Sequence, residues 1–152
     1  RYEYLWTKIR IQGGAYGATA RFDSNGLGIF ASYRDPKLAE SFQAYYDLPA
    51  WLEKEEFSAR ELDKYVIGTI SGMDTPLTNT MRLDTVTTSW LKNITDEHRQ
   101  KSRNEVLDVT NEDLQALAPV IRDMLSDGYV CVVGGKQPIE ANAERFNKII
   151  NA

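Results

Sequence analysis

The sequence predicts an α+β fold, an antiparallel sheet with helices layered on one face, on three observations. Asn25-Gly26 lies between two strand-like runs and signals a hairpin, because both residues tolerate positive φ. A long middle stretch carries helical periodicity with capping residues at its breaks. One further apolar run, 129–133, comes only after those helices, so the elements do not alternate as βαβ units.

Tyr4, Leu5, Lys8 and Ile9 show helical spacing with no capping residue before them, and Gly13-Gly14 closes that helix. The strand from Ala15 to Asp23 alternates, with Tyr16, Ala18, Ala20 and Phe22 on one face and Thr19 and Arg21 on the other. Its partner runs from Leu27 to Arg34. Asp35 and Pro36 then fit the N-cap and first position of a helix striped by Leu38, Phe42 and Tyr45, which Pro49 breaks or kinks.

Ser58-Ala59-Arg60-Glu61 fits a capping box, and Leu62, Tyr65, Val66, Thr69, Ile70 and Met73 mark one helical face up to Asp74-Thr75-Pro76. A helix over 77–92 follows, although Thr85, Val86, Thr87 and Thr88 are poor helix formers. Thr95 caps another helix, to Leu107. Thr110-Asn111-Glu112-Asp113 opens a helix with Leu114, Leu117, Ala118, Ile121 and Leu125 on one side and Gly128 as its stop. Tyr129 to Val133 is predicted as a buried last strand holding Cys131, and Ile139, Ala143, Phe146 and Ile150 as the face of a closing helix.

The 152 residues, 42% of them hydrophobic, can bury one core, and the whole of 1–152 reads as a single domain. A net charge of -4 with Lys and Arg interspersed among Asp and Glu argues against a nucleic acid or an anionic membrane as partner. One cysteine forms no internal disulfide, which fits a reducing compartment. No apolar stretch approaches the roughly 20 residues of a membrane span, so the chain is expected to be soluble. His98 has no second histidine beside it and reads as a solvated helix residue. Asn93-Ile94-Thr95 matches a glycosylation triplet, but Thr95 is better explained as a cap. The start at Arg1, without Met and already in helical spacing, reads as a fragment whose missing beginning takes strands from the sheet.

The candidate site is the helix-to-strand junction, where Arg10, the Gly13-Gly14 turn and Tyr16 bring together a guanidinium, a close-approach backbone and a phenol. On spacing alone the plainer alternative stands beside it: an Arg favourable to a helix end and a packed strand Tyr. The glycines do not form a phosphate loop, since they follow a helix and lack a Gly-Lys-Ser/Thr ending.

Tyr4-Leu5-Trp6, Arg10-Ile11-Gln12-Gly13-Gly14-Ala15-Tyr16-Gly17 and Ser32-Tyr33-Arg34-Asp35-Pro36 together resemble the C-terminal region of the presequence protease subfamily of pitrilysin-type zinc peptidases. Gly68-Thr69-Ile70, Met73-Asp74-Thr75-Pro76, Val109-Thr110 and Val132-Val133-Gly134 are similar to it in order and spacing, so nearly the whole chain is covered. The resemblance implies the last domain of a clamshell peptidase that encloses unfolded peptides between two halves. It places zinc in the N-terminal half, on an inverted H-x-x-E-H motif and a downstream Glu, with no metal on this chain. It implies that Arg10 and Tyr16 bind substrate and stabilise the transition state beside the Gly13-Gly14 turn, and that the fragment alone is inactive. Its implied partners are a peptide substrate and the N-terminal half of the same polypeptide, in a bacterial cytoplasm or else an organellar matrix. The same fold also serves scaffold or recognition subunits without the zinc motif.

Overall fold

The computed structural model describes residues 4–23 and 26–150. A π-helix, Trp6–Gln12, leads into strands β1 (Gly17–Phe22) and β2 (Gly28–Tyr33). Helices α1 (Leu38–Leu52), α2 (Ala59–Met73), α3 (Asn79–Leu91), α4 (Asp96–Leu107), α5 (Asn111–Gln115), α6 (Leu117–Ser126) and α7 (Lys136–Glu140) follow, so the fold is α+β. The chain forms two compact units: Arg1–Lys54 with Ala116–Ala152, and Glu55–Gln115.

In the first unit β1 and β2 pair antiparallel, with Ala18 opposite Ser32 and Ala20 opposite Phe30. Ala18 joins Leu5, Ile9, Ala15, Ala44, Tyr45, Leu48 and Ile121 in the core, and Phe30 and Ala20 pack against it. Alanines at these contacts let the sheet, the π-helix and α1 approach closely, so that Ile9 is left only 1% exposed. Burying such a side chain is worth about 1.5–3 kcal/mol. The other sheet face keeps Arg21, Ile29, Ala31 and Tyr33 exposed.

Several sequence expectations meet corrections here. The first helix is π rather than α over Trp6–Gln12, a form that the hydrophobic spacing does not distinguish. Tyr16 and Phe22, placed on the same face as Ala18 and Ala20, are exposed. Gly26 has φ +84°, as a hairpin turn needs, while Ser24 and Asn25 lie outside the described residues, as does Arg1. Asp35 is not the N-cap of α1: its Oδ1 accepts the Lys37 N–H at 2.9 Å, tightening the turn so that the helix starts two residues later. Pro49 does not break α1 but lies buried in its last turn.

The predicted helix from Thr110 is divided at Ala116, because Pro119 has no N–H for the Gln115 carbonyl. Tyr129–Val133 is not a strand, and Cys131 is exposed rather than buried. Strand structure needs a hydrogen-bonded neighbour, and among the described residues the sheet consists of β1 and β2 alone. The closing helix is cut to α7 and a 3-10 turn at Ala143–Arg145. The Asn142 side-chain amide donates to the Pro138 carbonyl at 3.0 Å, offering the backbone an alternative to helix.

In the second unit the expected caps are in place. Glu61 Oε2 accepts from Ser58 N at 2.8 Å and from Ser58 Oγ at 2.6 Å, Thr95 Oγ1 accepts from His98 N, and Asp113 Oδ2 accepts from Thr110 N and Oγ1. Phe57 is buried against Tyr65, and its backbone N–H and C=O are both held by the Asn111 amide at 2.9 Å. Arg103 joins α4 to the end of α2 through Asp74.

These contacts hold carboxyls below their ordinary values: Glu61 through the Ser58 hydroxyl and N–H, Asp113 through those of Thr110, and Asp74 through the Arg103 hydrogen bond. A carboxyl depressed in the folded state adds stability above its unfolded value, about 3.9 for Asp and 4.3 for Glu, and that stability is lost as pH falls through the folded value. The urea midpoint of the second unit is therefore expected to be level at pH 6 and to drop below about pH 4. Glu61→Gln is expected to lower the midpoint at pH 6 and to match the parent at pH 2. A difference that persists unchanged at pH 2 would show that the Glu61 charge plays no part.

Candidate functional site

The site residues all belong to the first unit. The π-helix ends on Gly13, whose own position is buried, and on Gly14, which has φ +84°. Gly14 N–H bonds to the Arg10 carbonyl at 2.9 Å and Ala15 N–H to the Ile9 carbonyl at 3.1 Å, which turns the chain sharply toward β1. A Cβ on Gly13 would lie 2.3 Å from the Ile9 carbonyl oxygen, so only glycine permits this exit. Lys37 Nζ donates to the Gln12 carbonyl at 3.4 Å, tying the start of α1 to the same turn.

Arg10 and Tyr16 stand on either side of that turn, both exposed, and each is held by its own partners. The Arg10 guanidinium lies over the Trp6 ring, 4.0 Å from its centroid. Tyr16 meets Tyr33 edge to face at 5.9 Å, and its backbone N–H bonds to the Tyr33 carbonyl at 3.0 Å. No hydrogen bond joins Arg10 to Tyr16 among the described residues.

The sequence reading passed over three residues here. Trp6 is four positions before Arg10, a spacing that could have identified the cation and ring as a pair. Tyr33 and Arg34 reach the site through the hairpin register, which places Tyr33 opposite Gly17. Arg34 lies 5.3 Å from the Tyr33 centroid and 5.9 Å from that of Tyr16. It does so with φ 48°, a left-handed backbone that costs a non-glycine residue about 1–2 kcal/mol.

Arg21, Arg122 and Arg145 each hold a carboxylate, whereas among the described residues the Arg10 and Arg34 guanidiniums rest on aromatic rings alone. At Arg34 a groove of about 580 Å³ is lined by Ser32, Arg34, Asp35, Leu38, Tyr45 and Val133, among others. Asp35 Oδ2 and the Tyr45 hydroxyl are enclosed there without a hydrogen-bond partner. Burial pushes the Tyr45 phenol up and the nearby Asp35 charge adds to this; the Ser32 hydroxyl pulls the other way, without reaching hydrogen-bond geometry.

The family described as the PreP C-terminal domain matches residues 1–136. The chain belongs to that family. It is similar to Protein HypA of Clostridium perfringens, at 37% identity over 148 residues that cover 97% of this chain and 15% of that protein. Presequence protease 1, chloroplastic/mitochondrial, of Arabidopsis thaliana is 32% identical over 146 residues, 95% of this chain and 14% of the relative. For the mitochondrial presequence protease of Schizosaccharomyces pombe the values are 29% over 136 residues, 89% and 13%. The chain thus spans only 13–15% of the length of these relatives. As a PreP C-terminal domain it is a peptidase-associated domain. Among the described residues no helix is long and apolar enough to cross a membrane.

Proposed function

We propose that residues 1–152 are the noncatalytic C-terminal domain of a zinc-dependent oligopeptidase, binding unfolded peptides and closing the chamber against the N-terminal half of the same polypeptide. The observation that carries this reading is Arg10, a guanidinium that engages no carboxylate among the described residues, at a glycine-built turn with the exposed Tyr16 beyond it, in a chain of the PreP C-terminal domain family.

The chemistry follows from what these side chains can donate. An arginine carries five N–H donors and a tyrosine one O–H. As a peptide carbonyl is attacked, its oxygen gains negative charge, and donors fixed in a water-poor chamber stabilise that charge better than mobile water. The Trp6 ring holds the Arg10 head through cation–π attraction, which uses none of its N–H groups as hydrogen-bond donors to an acceptor atom. The edge-to-face ring of Tyr33 does the same for Tyr16.

The chain's own residues do not fit a zinc site: among the described residues no three His, Cys, Asp or Glu side chains gather as ligands, and His98 and Cys131 are both exposed. Zinc in this reading belongs to the N-terminal half, which would supply the nucleophile. Metal analysis of 1–152 alone is expected to find no stoichiometric zinc and no peptide hydrolysis, with both present in the full-length protein. Stoichiometric zinc on 1–152 would overturn this placement, and a zinc-free, inactive full-length protein would favour a scaffold or recognition subunit. A bacterial cytoplasm is the compartment we propose, on the similarity to the Clostridium perfringens protein, with an organellar matrix as the second.

A further inference from the structure

We infer that Arg34 is a specificity-determining residue, binding a carboxylate of the peptide within about two residues of the carbonyl that Tyr16 contacts. The inference rests on the proposed role of Tyr16 and deepens it.

Three independent features single out Arg34. Its backbone is left-handed, at φ 48°, in the junction between β2 and α1, where any residue other than glycine stores strain. Its guanidinium lies over both rings of the Tyr16 and Tyr33 pair. It is exposed and, among the described residues, engages no carboxylate, in a unit where Arg21, Arg122 and Arg145 all do. The nearest acid in sequence, Asp35, is occupied elsewhere: Oδ1 accepts the Lys37 N–H and Oδ2 is enclosed.

Among the described residues no hydrogen bond or ion pair engages the Arg34 guanidinium beside these rings, and its N–H fork matches a carboxylate in bidentate fashion. Its carbon lies 5.9 Å from the Tyr16 ring centroid. An extended peptide advances about 3.3 Å per residue, so a group reaching Arg34 lies about two residues from one reaching Tyr16. In a peptide the carboxylate comes from an Asp or Glu side chain or from the C-terminus.

The test uses the full-length protein and two peptide pairs. One pair carries Glu or Gln at each position within two residues of the scissile bond in turn; the other ends within two residues of it as a free acid or an amide. Removing the carboxylate is expected to raise KM about 10-fold at one such position with little change in kcat, as loss of a charge-assisted hydrogen bond would. Arg34→Gln and Arg34→Gly are expected to raise KM for the acid form and to abolish the discrimination, while Arg34→Lys keeps part of it. Gly suits the left-handed backbone, so Arg34→Gly removes the cation without adding strain. The Glu pair and the C-terminal pair separate the two sources of the carboxylate. Equal KM changes for acid and neutral peptides in the Arg34 variants, or none, would overturn the inference. The failure of the Tyr16 role reads out differently, as an unchanged kcat/KM in Tyr16→Phe.

Discussion

Arg10→Ala in the full-length protein is expected to lower kcat/KM on a quenched unfolded peptide about 100- to 1000-fold, as deletion of an oxyanion donor does. Tyr16→Phe removes one hydroxyl from the same carbonyl and is expected to fall in the same range. The loss should appear mainly in kcat, because the interaction strengthens as charge develops on the oxygen. Both side chains are exposed and bear little of the core, so thermal stability is expected to change little. Unchanged kcat/KM in both variants would remove the site assignment and return Arg10 and Tyr16 to a helix-end cation and a ring packed on a ring.

Gly13→Ala is the second large effect. The new Cβ would meet the Ile9 carbonyl oxygen at 2.3 Å and its carbon at 3.0 Å, and neither can rotate away because both are backbone. Ile9 is itself locked in the core, so the π-helix or its exit must shift. Stability is expected to fall by about 1–3 kcal/mol, the usual cost of overpacking. Gly17→Ala is the control: its Cβ would meet nothing within 4 Å, and the expected change is within about 0.5 kcal/mol. Because Gly13 sets the path from Arg10 to Tyr16, the Gly13 variant should also lose turnover beyond what its unfolded fraction explains. Equal urea midpoints for the Gly13 and Gly17 variants would show that the turn tolerates a side chain.

The helix caps were legible because each closes within four residues: Ser58 with Glu61, Thr95 with His98, Thr110 with Asp113. Gly13-Gly14 and Gly26 were legible for the same reason, since positive φ and close backbone approach act locally. Tyr129–Val133 misled because its composition favours a strand while strand structure depends on a neighbour far along the chain. The part played by Tyr33 and Arg34 needed the hairpin register, and the Asn111 clamp on Phe57 needed a contact across 54 positions. The Trp6 and Arg10 pair lay within reach of spacing and was missed.

The sequence by itself determined the caps of the second unit, the glycine turn, the lack of a second histidine and the α+β class, because the forces involved act across a few bonds or through composition. Tertiary structure alone decided which cations remain without a carboxylate and which aromatic rings hold them. It also decided that Arg34 is left-handed and that Asp35 Oδ2 and the Tyr45 hydroxyl are enclosed without a hydrogen-bond partner. Those outcomes depend on which distant residues packing makes neighbours, and no local pattern encodes that.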